Sequence, residues 1–122
     1  MRSVLLVDQK QSTAELVKTY LTADGYEVDH TPDPSKALEY ASRSQYGVVV
    51  TDLVMHGGMT GIDLYREIRS YDVRVRFVFM LVLTADTLRL MGSLDRSDVI
   101  KKEPLSMNEV IRKVRAAFMN SR

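Results

Sequence analysis

Residues 46–52, Tyr-Gly-Val-Val-Val-Thr-Asp, are a run of mostly β-branched residues that ends at an acidic side chain. Its apolar residues do not alternate with polar ones, which predicts a strand over Tyr46–Thr51 that is buried on both faces. A second run, Phe77–Leu83 (FVFMLVL), is the most hydrophobic stretch of the chain and predicts a central strand. Strands of this kind are typical of parallel sheets that helices cover on both sides.

Strand-like and helix-like stretches alternate outward from these two runs. Three further strands are predicted at Val4–Val7, at Tyr26–His30 and at Val99–Ile100. Helix starts are predicted at the capping box Ser12–Glu15, at Asp33-Pro34, after Gly61, near Thr87 (a short helix to Leu94) and at the capping box Ser106–Glu109. Five strand–helix units predict an α/β fold, namely a flavodoxin-like doubly wound (βα)5 three-layer sandwich with a five-stranded parallel sheet of order 2-1-3-4-5.

Composition narrows the function classes. The 122 residues include 17 Lys and Arg against 16 Asp and Glu, a formal charge of +1, which argues against a protein that coats nucleic-acid phosphates. The chain has no cysteine, which excludes disulfide scaffolds, thiolate zinc sites and thiol catalysis. The apolar run Val4–Val7 is too short for a signal peptide or a membrane span. We expect one cytoplasmic domain over residues 1–122, either complete or the N-terminal part of a longer protein, without direct nucleic-acid or membrane contact.

Polar side chains follow four of the predicted strands. Asp8 and Asp52 follow the first and third strands, Thr84 follows the fourth, and Lys101-Lys102-Glu103 follows the fifth. The carboxyl ends of strands in a doubly wound sheet lie at one edge, where ligands bind. Two carboxylates, a hydroxyl and an ammonium group predict a site there for an anion bridged by a divalent cation such as Mg²⁺.

Several short motifs occur in one order along the whole chain: Val7-Asp8, Asp52-x-x-Met55, Gly61, Leu83-Thr84-Ala85 and Lys102-x-Pro104. In this order and with these spacings the sequence resembles the receiver domain of two-component response regulators. The resemblance implies that Asp52 accepts a phosphoryl group from a sensor histidine kinase or a phosphotransfer protein.

The resemblance also implies a metal site and a phosphoryl pocket. The Mg²⁺ ligands would be Asp8, Asp52, the backbone carbonyl of Val54 and, as the weakest candidate, Gln9. The phosphoryl-binding residues would be Thr84, Ala85 and Lys102. Such a domain is not an enzyme beyond Mg²⁺-dependent self-phosphorylation and self-dephosphorylation. It signals to an output protein or domain, or to a second copy in a homodimer, through its fourth and fifth βα units.

The sequence departs from the family at two charged positions. Gln9 stands where the family has a second acidic metal ligand, and the missing charge is expected to weaken Mg²⁺ binding about 10–100-fold. The family reads Lys-Pro where this chain reads Lys102-Glu103-Pro104. Either Glu103 takes the place of the lysine, or a local bulge lets Lys102 reach the site, and we predict Lys102.

Further departures support a second reading. His56 stands where the family usually has proline, Gly57-Gly58 lengthens the loop, and Val99 or Ile100 replaces an aromatic residue of the fifth strand. The alternative is a pseudo-receiver, a protein-interaction module that works without phosphorylation.

Overall fold

A computed structural model describes residues 2–93 and 98–119, in which parallel strands and helices alternate along the chain. The elements are β1 Ser3–Val7, α1 Gln11–Ala23, β2 Glu27–Thr31, α2 Pro34–Arg43, β3 Val48–Asp52, α3 Gly61–Arg69, β4 Arg76–Leu81, α4 Ala85–Leu90, a 3₁₀ turn Met91–Ser93, β5 Val99–Lys101 and α5 Met107–Met119.

The sheet has the order β2-β1-β3-β4-β5, and every neighbouring pair is parallel, which confirms the predicted fold class. Successive strand residues point to opposite faces and build two cores. Val49 and Phe79 pack with residues of α2 and α3 on one face. Val50 and Met80 pack with residues of α1 and α5 on the other. Because all strands run the same way, their carboxyl ends lie at one edge of the sheet.

The two runs that predicted the fold are strands for only part of their length. β3 begins at Val48, because Tyr46 lies before the sheet, where its hydroxyl group donates to Asp29 Oδ2 at 2.7 Å. β4 ends at Leu81, the last residue that pairs with β5, so Val82 and Leu83 lie beyond the sheet and are partly exposed. Val82 and Leu83 are therefore hydrophobic without being part of β4.

The first predicted helix start is wrong in detail. α1 begins at Gln11, and the capping position is Lys10, which makes no side-chain capping bond. Glu15 instead accepts a hydrogen bond from the Gln11 side chain at 3.0 Å, one turn back on the helix, so Ser12 and Glu15 do not form a capping box.

The other helix starts agree better with the sequence. Asp33 caps α2 by accepting from Ser35 N at 2.8 Å, and Ser106 Oγ accepts from Glu109 N at 3.2 Å before α5. α4 begins at Ala85, two residues earlier than predicted, and its predicted end at Leu94 lies outside the described residues. Within residues 2–93 and 98–119, no helix has the length and apolar character needed to cross a membrane.

Candidate functional site

A cavity of about 560 Å³ lies at the carboxyl edge of the sheet. Asp52, at the end of β3, Lys102, directly after β5, and Thr84, directly before α4, all line it. Gln9 and Val54 line it as well. The topology thus brings to one place side chains that are up to 93 positions apart in the sequence, counting from Gln9 to Lys102.

Lys102 joins the two carboxylates of the site. Its Nζ lies 2.8 Å from Asp52 Oδ1 and 3.1 Å from Asp8 Oδ1, and its side chain is 14% exposed. The backbone amide of Lys102 donates to the Leu81 carbonyl at 2.8 Å, which continues the β5 pairing and fixes the start of the side chain. Glu103, the competing residue, is exposed and precedes a cis bond to Pro104.

Burial and mutual contact shift the pKa values of Asp52 and Lys102. Removal from water raises the pKa of Asp52 to about 6, opposed by the hydrogen bond from Lys102 and reinforced by the charge of Asp8. For Lys102, burial alone would lower the pKa, but the hydrogen bond and charge of Asp52, together with the charge of Asp8, raise it above the ordinary lysine value. The site therefore holds an ammonium ion beside an aspartate that titrates near neutral pH.

Gln9 contacts both ends of the segment that follows β3. Its backbone amide donates to Asp52 Oδ2 at 3.2 Å. Its side-chain carbonyl oxygen accepts from His56 N at 2.7 Å, and its side-chain amide donates to the His56 carbonyl at 3.1 Å. Both polar groups of the Gln9 side chain are consequently engaged by the backbone N–H and C=O groups of one loop residue, His56.

Thr84 and Ala85 lie at the start of α4. Thr84 Oγ1 accepts from Thr87 N at 3.1 Å, and Thr87 Oγ1 accepts from Thr84 N at 2.8 Å, which makes a reciprocal capping box. Thr87 is buried and also donates to the Val82 carbonyl at 2.8 Å. Thr84 is exposed and faces the cavity, while Ala85 is exposed at the first position of the helix.

The donor atoms fit a hard divalent cation only in part. Asp8 Oδ2 is buried and has no hydrogen-bond partner among the residues that the structure describes, so this carboxylate has an acceptor to offer. Asp52 and Val54 line the cavity, and Lys102 joins Asp8 to Asp52. The Gln9 carbonyl oxygen is a poorer candidate, because it carries no charge and already accepts a hydrogen bond from His56 N. The described part of the chain contains no cluster of three or more Asp, Glu, His or Cys side chains suited to a metal ion.

Sequence reasoning missed two residues around the site. His30 Nε2 lies 3.0 Å from the Asp8 carbonyl and ties β2 to the end of β1, a contact for which the sequence offers no signal. The Thr84–Thr87 capping box does have one, since threonine three residues after threonine is close to the capping-box pattern.

Comparisons with known proteins place this architecture in a family. The family model described as "Response regulator receiver domain" matches residues 4–115. The probable transcriptional regulatory protein TcrX of Mycobacterium tuberculosis is 31% identical over 114 residues, which cover 93% of this chain and 48% of that protein. The response regulator ArlR of Staphylococcus saprophyticus is 26% identical over 118 residues, which cover 95% of this chain and 52% of that protein.

Solved structures agree on the fold. A response regulator receiver domain protein from Clostridium thermocellum superposes with a TM-score of 0.84 at 20% identity, covering 98% of this chain and 95% of the other. The chain spans about half the length of the curated relatives that it matches. Because the family match extends over most of its residues, this chain belongs to the response regulator receiver domain family of two-component systems.

Proposed function

We propose that Asp52 is the phosphoacceptor of this receiver domain and that a sensor histidine kinase or a phosphotransfer protein supplies the phosphoryl group. The observation that carries the proposal is the Asp52 carboxylate at the cavity, with the Lys102 ammonium group 2.8 Å away. A carboxylate oxygen of Asp52 forms the new P–O bond as the P–N bond of the donor phosphohistidine breaks. Lys102 offsets the negative charge that the phosphoryl group adds to the site.

A divalent cation completes the proposed chemistry. The carboxylates of Asp8 and Asp52 and the backbone carbonyl of Val54 would hold Mg²⁺, which neutralises charge on phosphoryl oxygens when bound. The buried Asp8 Oδ2, which lacks a described partner, supports this assignment. Without a contribution from Gln9, the affinity for Mg²⁺ is expected to be low.

The proposed signal leaves through the fourth and fifth βα units. Thr84 lines the cavity and caps α4, so a phosphoryl group on Asp52 that draws the Thr84 hydroxyl would compete with the bond from Thr87 N. Phosphorylation would then favour a second arrangement of α4 and β5. An output domain or protein, or a second copy of this chain, would read that arrangement in the cytoplasm. Ala85 leaves room beside the phosphoryl group.

One observation favours a second function. The Gln9 side chain serves the loop at His56 and leaves the cation one ligand fewer. A pseudo-receiver that binds partners without phosphorylation needs no cation, and this contact is compatible with it.

Incubation with acetyl phosphate and Mg²⁺, followed by intact-mass measurement, separates the two functions. The phosphoacceptor proposal predicts a gain of one phosphoryl group that Asp52→Asn abolishes. Asp86→Asn is the matched control, because Asp86 also lines the cavity but is exposed, and it should keep the label. A wild-type protein that gains no mass contradicts the proposal and favours the pseudo-receiver. A label that survives Asp52→Asn contradicts the assignment of Asp52 as the acceptor.

A further inference from the structure

The side chain of Gln9 bridges two loops at the mouth of the cavity. It extends from the loop after β1 and forms two hydrogen bonds with the backbone of His56 in the loop after β3, 2.7 Å and 3.1 Å long. A glutamine amide has a donor and an acceptor side by side, and so do the N–H and C=O groups of one peptide residue. The pairing engages both polar groups of the Gln9 side chain with the backbone of His56 and fixes their orientation.

The same residue also reaches the phosphoacceptor. The backbone amide of Gln9 donates to Asp52 Oδ2, so Gln9 contacts Asp52 by its main chain and His56 by its side chain. These two contacts lie four residues apart on the segment that leaves β3. Leu53, directly after Asp52, is anchored separately, since its amide donates to the Met80 carbonyl at 2.8 Å.

Two glycines with positive φ values follow His56 in the loop. Gly57 and Gly58 follow with φ values of 102° and 83°, a region that glycine enters freely and other residues rarely do. The chain becomes anchored again at Gly61, whose amide donates to the Leu53 carbonyl at 2.7 Å. Gln9 therefore adds a hydrogen-bonded anchor to the first half of the loop, in which the Met55 side chain is also buried.

We propose that Gln9 is a positioning residue that holds the Val54–His56 segment at the site and does not ligate the cation. The proposal rests on the proposed phosphoacceptor function of Asp52 for its effect on chemistry, while the contact itself can be measured without it. It explains two features together. Glutamate at position 9 would set a carboxylate against the His56 carbonyl, and proline at position 56 would remove the N–H that Gln9 accepts. The pair Gln9 and His56 therefore works as a unit.

The first test measures the contact directly. Amide hydrogen exchange followed by NMR should show the His56 amide protected in the wild type and exchanging at least about tenfold faster in Gln9→Ala. His56→Ala is the matched control, because it keeps the backbone N–H and should leave the amide of residue 56 protected. Equal exchange in wild type and Gln9→Ala overturns the proposal.

The second test separates positioning from ligation. Gln9→Ala and His56→Pro both break the contact, so Mg²⁺ titrated against the amide resonances should give the same half-saturation, within about twofold, in the two variants. The maximal rate of labelling by acetyl phosphate should fall about tenfold in Gln9→Ala, because Val54 and Asp52 are held less well. A loss of Mg²⁺ affinity that is tenfold larger in Gln9→Ala than in His56→Pro would make Gln9 a ligand and overturn the proposal.

A double-mutant cycle completes the design. His56→Pro removes the bond to the Gln9 carbonyl oxygen and fixes φ at position 56, so Gln9→Ala should slow labelling much less in the His56→Pro background than in the wild type. If the effects of Gln9→Ala and His56→Pro on the labelling rate are additive, the two residues do not act together, and the proposal is contradicted. If the wild type takes up no phosphoryl group, the phosphoacceptor function fails, and the exchange of the residue 56 amide alone then confirms or overturns the contact.

Discussion

The Lys102 ammonium group contacts Asp52 and Asp8 at once, although Glu103 separates Lys102 from Pro104. The strand geometry explains the placement. Ile100 is fully buried and Lys101 is exposed, so Lys102 lies on the same side of the backbone as Ile100. The Lys102 amide still bonds to β4, so the alternation of side chains between the two faces of the sheet continues as far as Lys102.

Substitution of Lys102 by methionine should destabilise the domain at neutral pH. The change keeps an unbranched side chain, without the terminal ammonium group, and leaves two neighbouring buried carboxylates, Asp8 and Asp52, without their cation. Breaking such a pair typically costs about 3–5 kcal/mol, and we expect the lower end because Lys102 is partly exposed. Urea denaturation at pH 7 measures the loss, with Lys101→Met as the control on an exposed neighbour.

The destabilisation of Lys102→Met should shrink in acid. Without the lysine, the folded state holds its carboxyl protons more tightly than the unfolded state, so the folded pKa lies above the unfolded one. Between these two pKa values the folded state of the variant binds more protons than the unfolded state. The stability of the variant therefore rises as the pH falls from 7 to 5. A deficit relative to wild type that stays constant between these pH values would contradict the account.

Phosphoryl uptake should depend on pH through Asp52. Only the ionised carboxylate is a nucleophile, and burial raises the pKa of Asp52 to about 6. Without a bound cation, about one-tenth of the Asp52 side chains are ionised at pH 5 and nearly all at pH 8. Bound Mg²⁺ lowers this pKa, so the labelling rate at sub-saturating Mg²⁺ should rise by up to about tenfold between these pH values. Intact-mass time courses with acetyl phosphate measure the rate, corrected for donor hydrolysis in buffer at each pH. A rate that does not change over this range contradicts the prediction.

Gly61→Ala should displace the backbone at Asp52 and Leu53. A Cβ atom at this position would lie 2.5 Å from the Asp52 carbonyl oxygen and 3.1 Å from Leu53 Cα, which are backbone atoms that cannot rotate away. We expect a loss of about 1–3 kcal/mol together with slower labelling of Asp52. Gly92→Ala is the control, because a Cβ atom there meets nothing within 4 Å, and it should change stability by less than about 0.5 kcal/mol.

Gly47→Ala should cost stability without touching the site. The added methyl group would overlap the ring of Phe118, which is stacked on Tyr26 with centroids 5.2 Å apart and is not free to turn. The expected loss is about 1–3 kcal/mol by thermal or urea unfolding, with labelling of Asp52 unchanged in the folded fraction. The cost should fall in a Phe118→Leu background, and an unchanged cost there would assign it to another cause.

Much of the fold follows from local chemistry that the sequence carries. The unbroken β-branched run before Asp52 and the alternation of strands with helices are enough to predict a doubly wound parallel sheet. Its strand order came with the resemblance to receiver domains, and the structure has that order. The ends of elements are harder, because they depend on neighbours. β4 stops at Leu81 where β5 stops pairing, and nothing in the run Phe77–Leu83 marks that point.

The site divides in the same way. Asp8 and Asp52 stand at strand ends and Thr84 in the loop after β4, and all three could be predicted to lie near one edge of the sheet. The side-chain contact between Gln9 and His56 could not, because it joins two loops 47 residues apart whose conformations are set by glycines and by tertiary packing. Gln9 is a weak candidate for a metal ligand in the sequence, but in the structure its side chain binds the backbone of His56.

The carboxylate of Asp8 is fully buried, and one of its oxygens lacks a described hydrogen-bond partner. An unsatisfied buried acceptor typically costs a folded protein about 1–3 kcal/mol, more when it is charged. The domain therefore keeps a stability deficit at its reactive end that the two apolar cores must offset. Laboratory evolution for heat resistance alone would be expected to replace Asp8 early, and a thermostable descendant obtained in this way would have traded signalling for robustness.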